Sequence, residues 1–145
     1  MSASPDMPQN PPERYEAGTL NTPAVAGLYR GIEYINLVGI ENIEIYENRL
    51  AYYLYESISR IPEISLIGGY PYGGLVAFNI EGQSSETVAL ALSERGVMVR
   101  GGLHCSPLAH KKYGTSDIGA VRVSLGCFNT EAQVKKILQI IKNLI

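Results

Sequence analysis

The 145-residue chain is 46% hydrophobic and 18% charged, the balance of one globular domain with a substantial core. A net charge of -2 excludes the basic footprint of a phosphate-driven nucleic-acid binder. No apolar run reaches the ~20 residues of a membrane-spanning helix, and the amino terminus lacks the basic-then-apolar order of a secretion signal. Two cysteines, Cys105 and Cys127, are too few for a disulfide framework, so a cytoplasmic protein with neither membrane nor nucleic-acid partner is expected.

Residues 1–13, "MSASPDMPQNPPE", carry four prolines and no apolar periodicity, and read as an extended lead-in or connecting segment. From Thr22 the pattern is helical: Thr22-Pro23 supplies a cap and a first-turn proline, and Val25, Leu28, Ile32 and Ile35 recur at three- and four-residue spacing. Gly39 interrupts. A second helix is predicted from about Glu41 to Ile61, where Pro62 stops it.

The period then changes to that of strands. "EISLIGG" (63–69) and "LVAFNIE" (75–81) read as strands joined by the glycine-rich "YPYGG". Ser84 or Ser85 caps a helix running to about Arg95, which Gly96 ends. "VMVR" (97–100) and "AVRVSLGCF" (120–128) are two further predicted strands, and Asn129-Thr130 opens a last amphipathic helix. The order predicts an α+β fold, a small antiparallel or mixed sheet with helices on one face.

The stretch between those last two strands, "RGGLHCSPLAHKKYGT" (100–115), is unlike ordinary structure. A thiol becomes a nucleophile where positive charge favours the thiolate, and Arg100, His104, His110, Lys111 and Lys112 surround Cys105 in sequence. The glycines would give the loop a bendable backbone. A surface cysteine in a flexible loop is the plainer reading. No metal is expected: adjacent residues such as His104 and Cys105 rarely face one ion, and no second ligand pair completes a set.

Arg122, inside the apolar strand "AVRVSLG", either faces solvent, pairs with a carboxylate, or lines a pocket where its fork grips a planar anion. Gly18-Thr19, in "RYEAGTLNT", places a hydroxyl and backbone N–H groups before a helix start. That setting suits a phosphate as well as a simple helix-opening turn.

Together "RYEAGTLNTPAVAGL", "VMVRGGLHCSPLAH" and "GAVRVSLGCFNTEAQV" resemble, in order and spacing, the C-terminal part of class-V aminotransferase-fold cysteine desulfurases. The branch they resemble is group II, related to selenocysteine lyases, and the resemblance covers residues 14–145. It implies the small domain of a fold-type-I enzyme that uses pyridoxal 5'-phosphate to take sulfur from L-cysteine, leaving L-alanine and a persulfide. Cys105 matches the persulfide-bearing cysteine, Arg122 the arginine on the substrate carboxylate, and Arg100 an arginine beside the active site. Thr19, with Gly18, matches the contact to the cofactor phosphate of the neighbouring subunit in a homodimer, and a sulfur-acceptor protein is an implied partner.

The chain departs from that pattern in lacking the large domain with the Schiff-base lysine, so it reads as a C-terminal piece, inactive alone. The apolar faces of the helices near 23–60, which would pack on that domain, are then expected to drive self-association. Leu103 stands where many members have a second histidine, and the stretch from Cys105 to Arg122 differs somewhat, which leaves cysteine or selenocysteine as substrate. The competing readings are a class-V aminotransferase or selenocysteine lyase that does not need the thiol, and a non-catalytic sulfur-carrier or interaction domain.

Overall fold

The computed structural model describes residues 6, 8–16 and 18–145; the rest of the proline-rich lead-in, 1–5 and 7, lies outside the described residues. Contacts divide the chain into two units, Met1–Gly39 and Ile40–Ile145.

In the first unit a short 3-10 turn, Glu13–Tyr15, precedes helix α1, Thr22–Val38. The cap is Asn21 rather than Thr22: its side chain accepts a hydrogen bond from the Ala24 N–H at 3.2 Å. Pro23 follows in the first turn, where no N–H partner is needed, and Gly39 ends the helix at φ +89°. The predicted apolar positions Val25, Leu28, Ile32 and Ile35 are all exposed.

The second unit is built on a three-stranded antiparallel sheet in the order β1-β2-β3, with β1 at Ile64–Ile67, β2 at Leu75–Ile80 and β3 at Val121–Ser124. Alternation sends Val76, Phe78, Ile80, Val121 and Val123 to one face, where all are buried. Helices α2 (Ile40–Ile58), α3 (Ser85–Glu94) and α5 (Glu131–Lys142) supply the apolar residues of that core. In α2, Leu50, Ala51, Leu54 and Ile58 fall on one stripe by their three- and four-residue spacing.

The caps are local and legible. Ser84 Oγ accepts from the Thr87 N–H, and Thr130 forms a capping box with Gln133 that fixes the start of α5. The α+β class and the one-sided helices match expectation, and the sheet is purely antiparallel.

One predicted strand is lost, those at 63–69 and 120–128 shorten to Ile64–Ile67 and Val121–Ser124, and one helix is new. Residues 97–99 form no strand: this segment meets β3 only where Arg100 bridges Arg122, and a cleft lined by Val97, Met98, Val123 and Ser124 opens beyond it. β3 ends at Ser124 instead of running to Phe128, because Gly126 donates to the Asn129 side chain at 2.8 Å and turns the chain into α5. Within the cysteine loop, Pro107–Tyr113 forms helix α4, with Pro107 in its first turn and left-handed Gly114 at its end. That pairing of an opening proline with a closing glycine is a helix signal in the sequence that composition alone disguised as loop.

Candidate active site

Arg100 and Arg122 sit directly opposite each other. The Arg122 N–H donates to the Arg100 carbonyl at 2.7 Å and the Arg100 N–H to the Arg122 carbonyl at 3.2 Å. Residues that exchange both bonds in an antiparallel pair project to the same face. Val121 and Val123 take the core face, so both guanidinium groups belong to the other one. Among the described residues neither arginine has a carboxylate within ion-pair reach. Arg122 is half-buried, and its Nε–H is buried without a partner. A buried donor left unmatched is costly, and an anion arriving at the fork is the usual remedy.

Cys105 is exposed and carries a free thiol; Cys127, half-buried, is also free. Both His104 and Cys105 adopt left-handed backbone, φ +52° and +56°. For two successive non-glycine residues this costs on the order of 1 kcal/mol or more each, a strain that proteins concentrate at functional sites. The Ser106 N–H closes the turn onto the Leu103 carbonyl at 2.9 Å, and α4 starts directly after.

His104 ties this turn to the arginines. Its Nε2 lies 2.9 Å from the Ala120 carbonyl, which can only accept, so Nε2 carries a proton and in the neutral ring the lone pair falls on Nδ1. Nδ1 is buried without a partner. The ring stands 6.0 Å from that of His110, which is itself buried and held by Thr115 Oγ1 at 2.8 Å. Burial pushes the His104 pKa below its ordinary value, and the charges of Arg122, Arg100 and His110 push the same way against the opposing Ala120 hydrogen bond.

The ring is therefore neutral in the folded protein at pH values where an unfolded chain already takes up a proton. Stability at this residue is fully present above the unfolded pKa of ~6.5 and falls as pH drops through it toward the folded value. His104→Gln should flatten the decline in urea midpoint between about pH 7 and pH 5; an unchanged slope would exclude this residue as its source.

The remaining sequence candidates, Gly18 and Thr19, belong to the first unit and are exposed, Gly18 with φ +86°. The N–H groups that open α1 itself are already engaged or absent. Thr22 N–H is bonded to Leu20, Ala24 N–H to Asn21, and Pro23 has none. Any phosphate contact falls to the Gly18-Thr19 turn itself. Among the described residues no three His, Cys, Asp or Glu side chains gather as a metal set, and no helix is long and apolar enough to cross a membrane. Sequence reasoning read Ser85 only as a candidate helix cap and passed over Asn79. Asn79, the residue after Phe78 and thus on the polar face, donates from Nδ2 to the Gly119 carbonyl at 2.9 Å.

Comparison with known proteins agrees with this architecture. The aminotransferase class-V family model matches residues 4–137. The cysteine desulfurases of Serratia proteamaculans and Synechococcus elongatus are 33% and 34% identical to this chain over 128 and 137 residues, covering 88% and 94% of it but 31% and 22% of their own lengths. The chain thus spans less than a third of these curated relatives. The apo cysteine desulfurase of Thermococcus onnurineus superposes with a TM-score of 0.83 at 35% identity, over 93% of this chain and 34% of that one. The chain belongs to the aminotransferase class-V family, with a fold of the cysteine desulfurase type.

Proposed function

We propose that this chain is the C-terminal, substrate-handling part of a pyridoxal-phosphate-dependent cysteine desulfurase. The observation that carries the reading is the pair of opposed arginines, without carboxylate partners among the described residues, beside a strained turn that exposes the Cys105 thiol. Arg122 grips the carboxylate of L-cysteine through its fork, and Arg100 adds positive charge that holds the amino acid in place.

Cys105, as thiolate, forms an S–S bond to the substrate sulfur as the substrate C–S bond breaks. The electron pair of that bond stays with carbon, which takes up a proton and leaves as L-alanine. The cofactor, when bound, supplies the electron sink that stabilises charge on the substrate carbon. On this reading the exposed Gly18-Thr19 turn serves the phosphate of the cofactor of the neighbouring subunit in a homodimer. The five lysines sit on α4 and α5, so the cofactor lysine comes from a separate large domain. The persulfide then passes to an acceptor protein. Two free thiols suit a reducing cytoplasm.

Arg122→Lys in an enzyme joining this chain to a lysine-bearing class-V domain should raise KM for L-cysteine by roughly 10- to 100-fold, because a point charge replaces a bidentate fork. The cofactor absorbance should stay unchanged. A wild-type KM in that variant would remove Arg122 from the substrate site.

A further inference from the structure

The loop that carries Cys105 is closed at its base by a side chain with no role in the reaction above. Ser85, the first residue of α3, is only 1% exposed. Its Oγ accepts the Gly102 N–H at 3.0 Å and donates to the Ile118 carbonyl at 2.6 Å, while its own N–H reaches the same carbonyl at 3.3 Å. The single hydroxyl proton goes to the nearer acceptor, which leaves the Glu86 carboxylate at 3.1 Å a secondary contact. One buried hydroxyl therefore joins the two ends of the loop, Gly102 before the thiol and Ile118 after it.

The glycines confirm how tight this junction is. A Cβ on Gly101 would lie 2.5 Å from the Ser85 carbonyl, and one on Gly119 would lie 2.6 Å from Ser85 Oγ and 2.7 Å from Gly102 Cα. These glycines are spacers that let three backbones meet, not the free hinges that a glycine-rich loop suggests. The Ala120 N–H, bonded to the Gly102 carbonyl at 3.1 Å, and His104, bonded to the Ala120 carbonyl, extend the closure toward Cys105 and Arg122.

We propose that Ser85 is the positioning residue of the Cys105 loop, holding the left-handed His104-Cys105 turn at a set place beside Arg100 and Arg122. The thiol then waits at a fixed station and the substrate sulfur is brought to it. The catalytic consequence rests on Cys105 being the sulfur acceptor; the structural claim does not.

The test uses this chain and three variants. Ser85→Ala deletes the clamp. Ser84→Ala deletes the α3 cap, which touches Thr87 and not the loop, and so controls for loss of α3 stability. In Ser85→Ala the Gly102 amide should exchange with solvent about tenfold faster, as expected for loss of one buried hydrogen bond. The heteronuclear NOE of residues 103–106 should fall, and Ser84→Ala should change neither reading. Ser85→Thr, which keeps the hydroxyl, should restore protection at Gly102. In the joined enzyme Ser85→Ala should lower kcat at least tenfold with KM for L-cysteine within about twofold, since the carboxylate site on β3 is intact.

Wild-type exchange and NOE values in Ser85→Ala would overturn the proposal whatever the activity. So would equal changes in the Ser84→Ala control. If Ser85→Ala does not fold, the wild-type chain decides: an unprotected Gly102 amide overturns the clamp, and a protected one supports it. A lowered NOE with no desulfuration by any variant leaves the clamp standing and counts against the desulfurase reading alone.

Discussion

Cys105→Ser should abolish persulfide formation in the enzyme that joins this chain to a lysine-bearing domain, with cofactor absorbance and L-cysteine binding retained. The hydroxyl of serine is a far weaker nucleophile toward sulfur than a thiolate, so the loss should exceed about a thousandfold, on the scale of removing a covalent nucleophile. The measurement is labelling of protein-bound sulfane sulfur after exposure to L-cysteine, alongside alanine release.

Cys127→Ser provides the matched comparison. That residue lies in the turn before α5, half-buried and outside the turn formed by residues 103–106, and its loss should leave labelling near the wild-type level. The 145-residue chain by itself should produce no alanine, since its lysines lie on α4 and α5. Undiminished labelling in Cys105→Ser would end the assignment of this thiol, and loss of cofactor absorbance would give it a structural role instead.

The second large effect concerns the core. Phe78 is fully buried in the central strand, facing Leu66 on β1 and Val121 on β3. Phe78→Ala removes most of a ring from a site bounded by two strands and the helices above them, so the cavity collapses only in part. The expected cost is ~3–5 kcal/mol, against a total stability of ~5–15 kcal/mol for a small domain. Urea denaturation followed by far-UV circular dichroism should show the midpoint falling by more than 1 M, given slopes of ~1–3 kcal/mol/M. A loss below ~1 kcal/mol would mean that β2 does not run through the core.

How much of this was readable before any coordinates follows from the range of the forces involved. The caps at Ser84 and Thr130 and the glycines that end helices act within one turn, and each falls within a residue or two of its expected place, whereas α2 ends at Ile58, three residues short of the Ile61 expected from Pro62. The cap of α1 is Asn21 instead of Thr22: Asn21 stands three residues before the Ala24 N–H that its Oδ1 accepts, while Thr22 already lies in the first turn. The alternating exposure of "VRVS" is likewise observed, with Val121 and Val123 buried and Ser124 exposed. Strand length was overestimated wherever β-rich composition continued beyond the last available partner: Val97 and Val99 pack against the core without a ladder, and the chain after Ser124 turns away.

The site shows the same division. The sequence by itself determined which residue types were candidates: a thiol among cations, an arginine in an apolar strand, and a glycine-threonine turn before a helix. It also carried the family resemblance, since three motifs in register survive without knowledge of contacts. Only the tertiary structure decided that Arg100 opposes Arg122, that His104 is tied through Nε2 to the Ala120 carbonyl, and that Ser85 closes the loop on which Cys105 stands. Those relations join residues distant along the chain, and no local propensity or period encodes them. They arise when a three-stranded sheet and the start of α3 bring buried polar groups together, each of which must find a partner or leave one free for a ligand.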